Sequence, residues 1–212
     1  MSIQGGAVYG FRRYVALLLV LASLTLAVAG CSGSGGSDTG GGSSGGGTTT
    51  YTNDQYGFTI TYDNQFSEGK PVEAASAGAS AVFDVVFADK QGTVIADRYV
   101  DAIEILVYEL AREVKPAEVP KLKAEVQGVV DQLMTSTSSA TVVEPLAGVT
   151  VNGVPGFTFK YTYTEGGTEL TAITYFLFKG KYEYEITAQT TSANWDALKG
   201  KFEAAVQSFT VK

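Results

Sequence analysis

The stretch 156–190, GFTFKYTYTEGGTELTAITYFLFKGKYEYEITAQT, decides the fold. Phe157, Phe159, Tyr161 and Tyr163 alternate with Thr158, Lys160, Thr162 and Thr164, the two-residue period of a strand with one buried face. Glu165-Gly166-Gly167 supplies turn chemistry before a second strand over 168–179. Lys179-Gly180-Lys181 supplies a second turn. In 182–190, Tyr182, Tyr184, Ile186 and Ala188 then oppose Glu183, Glu185, Thr187 and Gln189. Three strands joined by tight turns form an antiparallel meander.

Upstream, Asn152-Gly153 is a strong hairpin turn, with short edge strands expected at 141–144 and 148–151. Earlier strands are expected at 58–62, 81–88 and 102–110, each alternating at period two, with a turn at Asp89-Lys90-Gln91-Gly92. Between them and the meander the period changes. Leu122, Val126, Val129, Val130 and Leu133 recur at spacings of three and four, which is helical, with Pro116 near the start. Trp195, Leu198, Phe202, Val206 and Phe209 repeat that spacing in a final helix over 193–208, with Ser192 or Asn194 as its cap and Asp196 at its positive end. Strands, a middle helix, a meander and a closing helix give an α+β fold, an antiparallel β-sheet flanked by helices in an α/β/α sandwich.

The first fifty residues carry no fold signal. Residues 1–30 read as an export signal: Arg12 and Arg13, then an apolar run over 14–29. That run is shorter than the roughly twenty residues that span a bilayer. The arginine pair fits twin-arginine export, but its flanks favour the general secretory route. Val28-Ala29-Gly30-Cys31 resembles a bacterial lipobox, and the resemblance implies cleavage before Cys31, a diacylglyceryl group on its sulfur and a fatty-acyl group such as palmitate on the new N-terminus. Two lipid chains hold a protein stably at a membrane where one does not. Residues 31–50 read as the lipidated cysteine and a Gly/Ser/Thr linker without apolar side chains, a segment unable to offset its own ordering entropy. The expected organisation is a signal peptide at 1–30, a tether at 31–50 and one domain at 51–212.

Composition narrows the chemistry. The chain of 212 residues has no histidine and one cysteine. His-based general bases, Ser–His and Cys–His pairs and most zinc and copper sites are therefore excluded, as is an internal disulfide. From Cys31 onward 22 acidic residues face 13 basic ones, which argues against nucleic acid. No cofactor or metal motif is present, and the Gly-rich tract lacks the strand, helix and Lys-Ser/Thr of a phosphate loop. Asp97, Asp101 and Glu104 read as a solvated face.

Tyr56-Gly57-Phe58-Thr59-Ile60-Thr61-Tyr62, Gly153 to Tyr163, Tyr175-Phe176-Leu177 and Asn194-Trp195-Asp196 with Phe202-Glu203 and Ser208-Phe209 together resemble the Mog1/PsbP-like group. The resemblance implies a small antiparallel sheet flanked by helices. It also implies a protein-binding or assembly role, since branches of the group include a small-GTPase partner and a photosystem accessory subunit. The metal-linked histidines of some photosynthetic members have no counterpart in this chain.

The expected function is a lipid-anchored, non-enzymatic binding or assembly module on the extracytoplasmic face of the cell membrane, with a protein partner. The final helix is expected on the aromatic side of the meander. The middle helix is expected over the apolar part of the other face (Leu106, Tyr108, Ile173, Tyr175 and Leu177), leaving a binding groove of Thr158, Lys160, Thr162, Glu183 and Glu185. One alternative is a carrier of a small apolar ligand, which needs a continuous apolar pocket of roughly 300 Å³ or more. Another is a hydrolase built on a carboxylate pair.

Overall fold

The computed structural model describes residues 47–69 and 81–212. The signal peptide, Cys31 and nearly all of the expected tether lie outside the described residues. The elements in chain order are β1 (Thr48–Asn53), β2 (Phe58–Asp63), β3 (Ser67–Gly69), β4 (Phe83–Ala88), β5 (Val94–Ile95), β6 (Arg98–Tyr99) and β7 (Ala102–Val114). A 3₁₀ helix (Pro116–Leu122) and α1 (Lys123–Ser136) follow, then β8 (Thr141–Val151), β9 (Val154–Glu165), β10 (Thr168–Thr191), α2 (Trp195–Ser208) and β11 (Thr210–Val211). The fold is the α+β arrangement expected: one large antiparallel sheet flanked by helices.

The large sheet has the order β3-β4-β7-β10-β9-β8. Its centre is β10, 24 residues of extended backbone. At about 3.3 Å per residue, one straight strand of that length would run about 80 Å, far beyond a domain of this size. β10 instead folds back on itself at Gly180, where φ is +61°. The first limb pairs with β9 through 168–177, and the second with β7 through 180–189. The limbs face each other: Thr174 Oγ1 lies 2.9 Å from Thr187 Oγ1, and the Ser192 N–H donates to the Glu169 carbonyl at 2.9 Å. The meander and its turn at Lys179-Gly180-Lys181 are therefore present.

Each face has its own core. On one face α2 and a small sheet (order β1-β2-β11) enclose Phe58, Ile60, Tyr175, Leu177, Tyr184 and Ile186, with Phe202 from the helix only 1% exposed. Burying such a phenylalanine contributes about 1.5–3 kcal/mol. On the other face the 3₁₀ helix and α1 set Val119, Leu122, Val126 and Val130 against Phe157, Phe159, Tyr161 and Phe176.

This arrangement corrects four expectations. The helices are exchanged over part of the meander: α2 covers Tyr184 and Ile186 as expected, but with them Tyr175 and Leu177, whereas the Phe157–Tyr161 stripe faces α1. Thr48, Thr49 and Thr50, read as the end of the linker, are the first half of β1 and pair with Asp63, Tyr62 and Thr61. The two expected edge strands are one strand, β8, interrupted by register shifts between Val142 and Glu144 and between Glu144 and Ala147. Asn194, one of the two capping candidates, is the N-cap residue of α2 but makes no side-chain cap bond, and Ser192 Oγ lies 2.8 Å from Thr171 Oγ1 instead.

Candidate functional site: an acid-lined half of the sheet

The register of three neighbouring strands builds the site. Asp84 of β4 stands opposite Leu106 of β7, which stands opposite Glu185 of β10. One step along, Val86, Glu104 and Thr187 are aligned; the next row is Ala88, Ala102 and Gln189. Residues opposite one another in antiparallel strands share a face, so these nine side chains share one, with Asp84, Glu104 and Glu185 as diagonal neighbours. In the other direction Tyr108 stands opposite Glu183, which is only 4% exposed.

This half-face belongs to the side that α1 covers, but α1 stops short of it. The 3₁₀ helix and α1 pack on Leu146 of β8, on β9, on the first limb of β10 and on Leu110 and Val114 at the far end of β7. Among the described residues, no helix lies over Asp84, Glu104 or Glu185. The side chains here are half-buried rather than solvated, and Val86, Ala88 and Ala102 are buried among them.

A half-buried face with few counter-charges raises carboxylate pKa values. Burial, then the neighbouring Glu183 and Glu104, pushes Glu185 up to about 8. Burial, then Asp84, pushes Glu104 up to about 7, with Arg98 pulling the other way. Burial pushes Asp84 up to about 6, and its Oδ1 is buried with no hydrogen-bond partner. The cation at hand, Arg98, already pairs with Glu165. Towards α1 the row ends on phenols: the Tyr163 hydroxyl donates to Gln189 Oε1 at 2.9 Å, and burial pushes Tyr163 up to about 12.

Arg98 is held over the site by the hairpin β5–β6. Ile95 anchors the hairpin on Leu170 and Val100. Its tip is Ala96 and Asp97, both at positive φ (48° and 61°), as the two central residues of a type I′ turn require. Under the hairpin a cavity of about 50 Å³ is lined by Val86, Arg98, Ala102, Glu104, Thr187 and Gln189. It adjoins an open cleft of about 550 Å³ bordered by Glu68, Ala88, Lys90, Asp97, Arg98 and Tyr99. Tyr99 and Val94 stand exposed on this hairpin, at 39% and 53%. At the other end of the strands a second open cleft of about 530 Å³ lies among Tyr56, Lys179, Lys181, Tyr182 and Lys212.

The five residues expected to form one groove do not meet. Thr158, Lys160 and Thr162 lie on the α2 face, opposite Tyr175, Ile173 and Thr171. Lys160 Nζ sits 4.5 Å from the centroid of the Trp195 ring and 3.6 Å from Glu144 Oε1. Glu183 and Glu185 lie on the opposite face. The reason is parity. Each two-residue turn pairs residues three apart (165 with 168, 179 with 182), so the shared face alternates between odd and even numbers at every turn. Phe157, Phe159 and Tyr161 thus share a face with Glu183 and Glu185, not with Tyr182 and Tyr184. Asp84, Glu104 and Arg98 complete the site from strands distant in sequence. Glu104 and Asp101 are not the solvated residues expected. Asp101 is 2% exposed and accepts from Thr190 Oγ1 at 2.6 Å and the Thr93 N–H at 2.8 Å.

The chemistry available is limited. Among the described residues no group of three or more carboxylates or thiols is arranged to hold a metal ion. A carboxylate pair that shares acid and base work has its two pKa values pushed apart. Asp84, Glu104 and Glu185 are all pushed up, so the row takes up protons at a higher pH than ordinary carboxylates do. The two larger clefts described above are open and bordered by charged residues, and the helices pack on the sheet through clusters of buried apolar side chains.

A family model described as PsbP matches residues 46–211. The solution structure of cyanobacterial PsbP (CyanoP) from Synechocystis sp. PCC 6803 superposes with a TM-score of 0.55 at 16% identity, covering 82% of this chain and 98% of that one. The crystal structure of LpqN, described as involved in cell envelope biogenesis of Mycobacterium tuberculosis, gives a TM-score of 0.55 at 10% identity, covering 79% and 91%. At these identities the likeness speaks for the fold alone. No curated protein sequence is matched.

Proposed function

Because the chain belongs to the PsbP family, we propose that it is a non-catalytic binding or assembly module, held on the extracytoplasmic face of the cell membrane by lipid on Cys31. Its docking surface is the acid-lined half of the sheet beneath the β5–β6 hairpin, and its partner is a protein presenting cationic side chains. The observation that carries this reading is a half-buried, carboxylate-lined sheet face over which, among the described residues, no helix packs, beside a fully packed one. The alignment of carboxylates along it, with Arg98 already engaged by Glu165, supports a cationic rather than an anionic partner. The sequence before the domain supports the tether, because a Gly/Ser tract gives the domain reach from the bilayer.

The anchor is tested by intact mass and fractionation of the protein from its native membrane. The expected species lacks residues 1–30 and carries a lipid adduct on Cys31, and a Cys31→Ser variant leaves the membrane fraction. An unmodified thiol with residues 1–30 retained would contradict the reading.

A further inference from the structure

We propose that the row Asp84–Glu104–Glu185 is a proton-operated switch that sets the charge of the open sheet face and the hold of β4 on the sheet in the neutral pH range. The groups facing the row can be named strand by strand. β4 contributes Asp84, β7 contributes Glu104 and Tyr108, and the second limb of β10 contributes Glu183 and Glu185. β9 contributes Tyr161, Tyr163 and Glu165, and β6 contributes Arg98. Lys90, Glu68 and Asp97 border the cleft beyond. Among the described residues, four carboxylates therefore share one half-buried face with one guanidinium, and that guanidinium is held by a fifth carboxylate.

Geometry makes the row act as a unit. Like charges on diagonal neighbours of one sheet face repel, and their proton affinities become coupled. Protonated, the carboxyl groups are neutral and can donate to one another and to Thr187 or Gln189 beside them. The buried Asp84 Oδ1, unpartnered otherwise, is an acceptor for such a donor. Deprotonated, the row places several negative charges where little water reaches. The strand that carries the outermost member of the row is β4, which pairs with β7 on one side and with β3 on the other.

The sign follows from the direction of the shifts. Each carboxyl binds its proton more tightly in the folded than in the unfolded chain, where glutamate titrates near 4.5. The folded state is therefore favoured most below about pH 4, and that advantage is lost progressively as pH rises from there through the folded values, up to about 8. This is the reverse of the usual behaviour of salt-bridged carboxylates. The switch acts on the face proposed above as the docking surface; its existence is independent of that reading, and only its consequence for docking rests on it.

The test uses the full chain in detergent micelles. Carboxyl carbon resonances of ¹³C-labelled glutamate are followed from about pH 4 to pH 9 in the unmodified protein. At least two glutamates titrating above about pH 6 are expected, and glutamates that all titrate below about pH 5 overturn the proposal. Thermal melts of the unmodified protein, Glu185→Gln and Glu104→Gln follow at about pH 4 and pH 8.5. Melting of the unmodified protein should fall by several degrees at the higher pH. Each Gln variant should melt higher than it at pH 8.5 and within a degree or two of it at pH 4. Melting independent of pH, or Gln variants that melt lower at pH 8.5, would overturn the switch. Failure of docking is read separately, by crosslinking. A pH-dependent row with no crosslinked partner leaves the switch standing and removes the docking reading.

Discussion

The Asn152 side-chain amide donates to the Phe209 carbonyl at 2.9 Å and to the Gln207 carbonyl at 2.6 Å, so a turn residue between β8 and β9 closes the C-terminal end of α2. The last carbonyls of a helix have no partner within it, and here a residue more than fifty positions upstream supplies one. Asn152 also stands at positive φ (46°), with Gly153 after it at 81°, the two central positions of a type I′ turn.

These two roles separate by mutation. Asn152→Gly keeps the turn and loses the hydrogen bonds, with an expected cost of about 1 kcal/mol. Asn152→Ala loses both, with an expected cost of about 2 kcal/mol. Equal denaturant midpoints for the two variants would show that the turn conformation contributes nothing.

Gly156 is required for a different reason. A Cβ at this position would lie 2.0 Å from the Phe176 carbonyl oxygen across the β9–β10 ladder. Gly156→Ala must therefore push these central strands away from each other, at an expected cost of about 3 kcal/mol or more. Gly180 has open space around its Cβ position, so Gly180→Ala meets only the penalty of its positive φ, about 1–2 kcal/mol. Urea unfolding of the pair should rank them in that order.

At the tip of the β5–β6 hairpin, Ala96 occupies a left-handed conformation that a Cβ disfavours. Ala96→Asn together with Asp97→Gly gives the residues a type I′ turn prefers. The double variant is expected to be more stable by about 1 kcal/mol while keeping Arg98 against Glu165. A loss of stability would show that the tip makes interactions beyond the turn.

Lys160 offers a test of the face assignment. Its ammonium stacks over Trp195 on the α2 face, an interaction of about 0.5–1 kcal/mol for a partly exposed pair. Lys160→Met should lower stability by up to that amount and leave partner capture unchanged. Loss of capture would place Lys160 in the docking surface after all.

Much of this architecture is legible in the residues. The alternations in 156–190, the Gly-containing turns and the three/four spacing of Leu198, Phe202 and Val206 all mark elements that the structure contains. The faces are harder to read. Counting residues across the two-residue turns at Gly166-Gly167 and Gly180-Lys181 shows that Tyr161 and Glu185 share a side, and alternation within each strand alone does not reveal this. The start of β1 is hidden because Thr48–Thr50 continue a Gly/Ser/Thr tract without apolar residues. β5 and β6 are two residues each, too short for any period. The acidic row is out of reach for a physical reason. Asp84, Glu104 and Glu185 become neighbours through the β4–β7–β10 pairing, and that pairing joins segments about twenty and eighty residues apart.

The most direct test of the account is site-specific photocrosslinking of the full chain in its native membrane. A photoreactive side chain is placed at Tyr99, at the mouth of the acid-lined face, and separately at Gln127 on the outer surface of α1. One dominant crosslinked protein is expected from position 99, carrying exposed Lys or Arg at the crosslinked segment, and none from position 127. Equal yields from both positions, or a partner captured through position 127 alone, would contradict it.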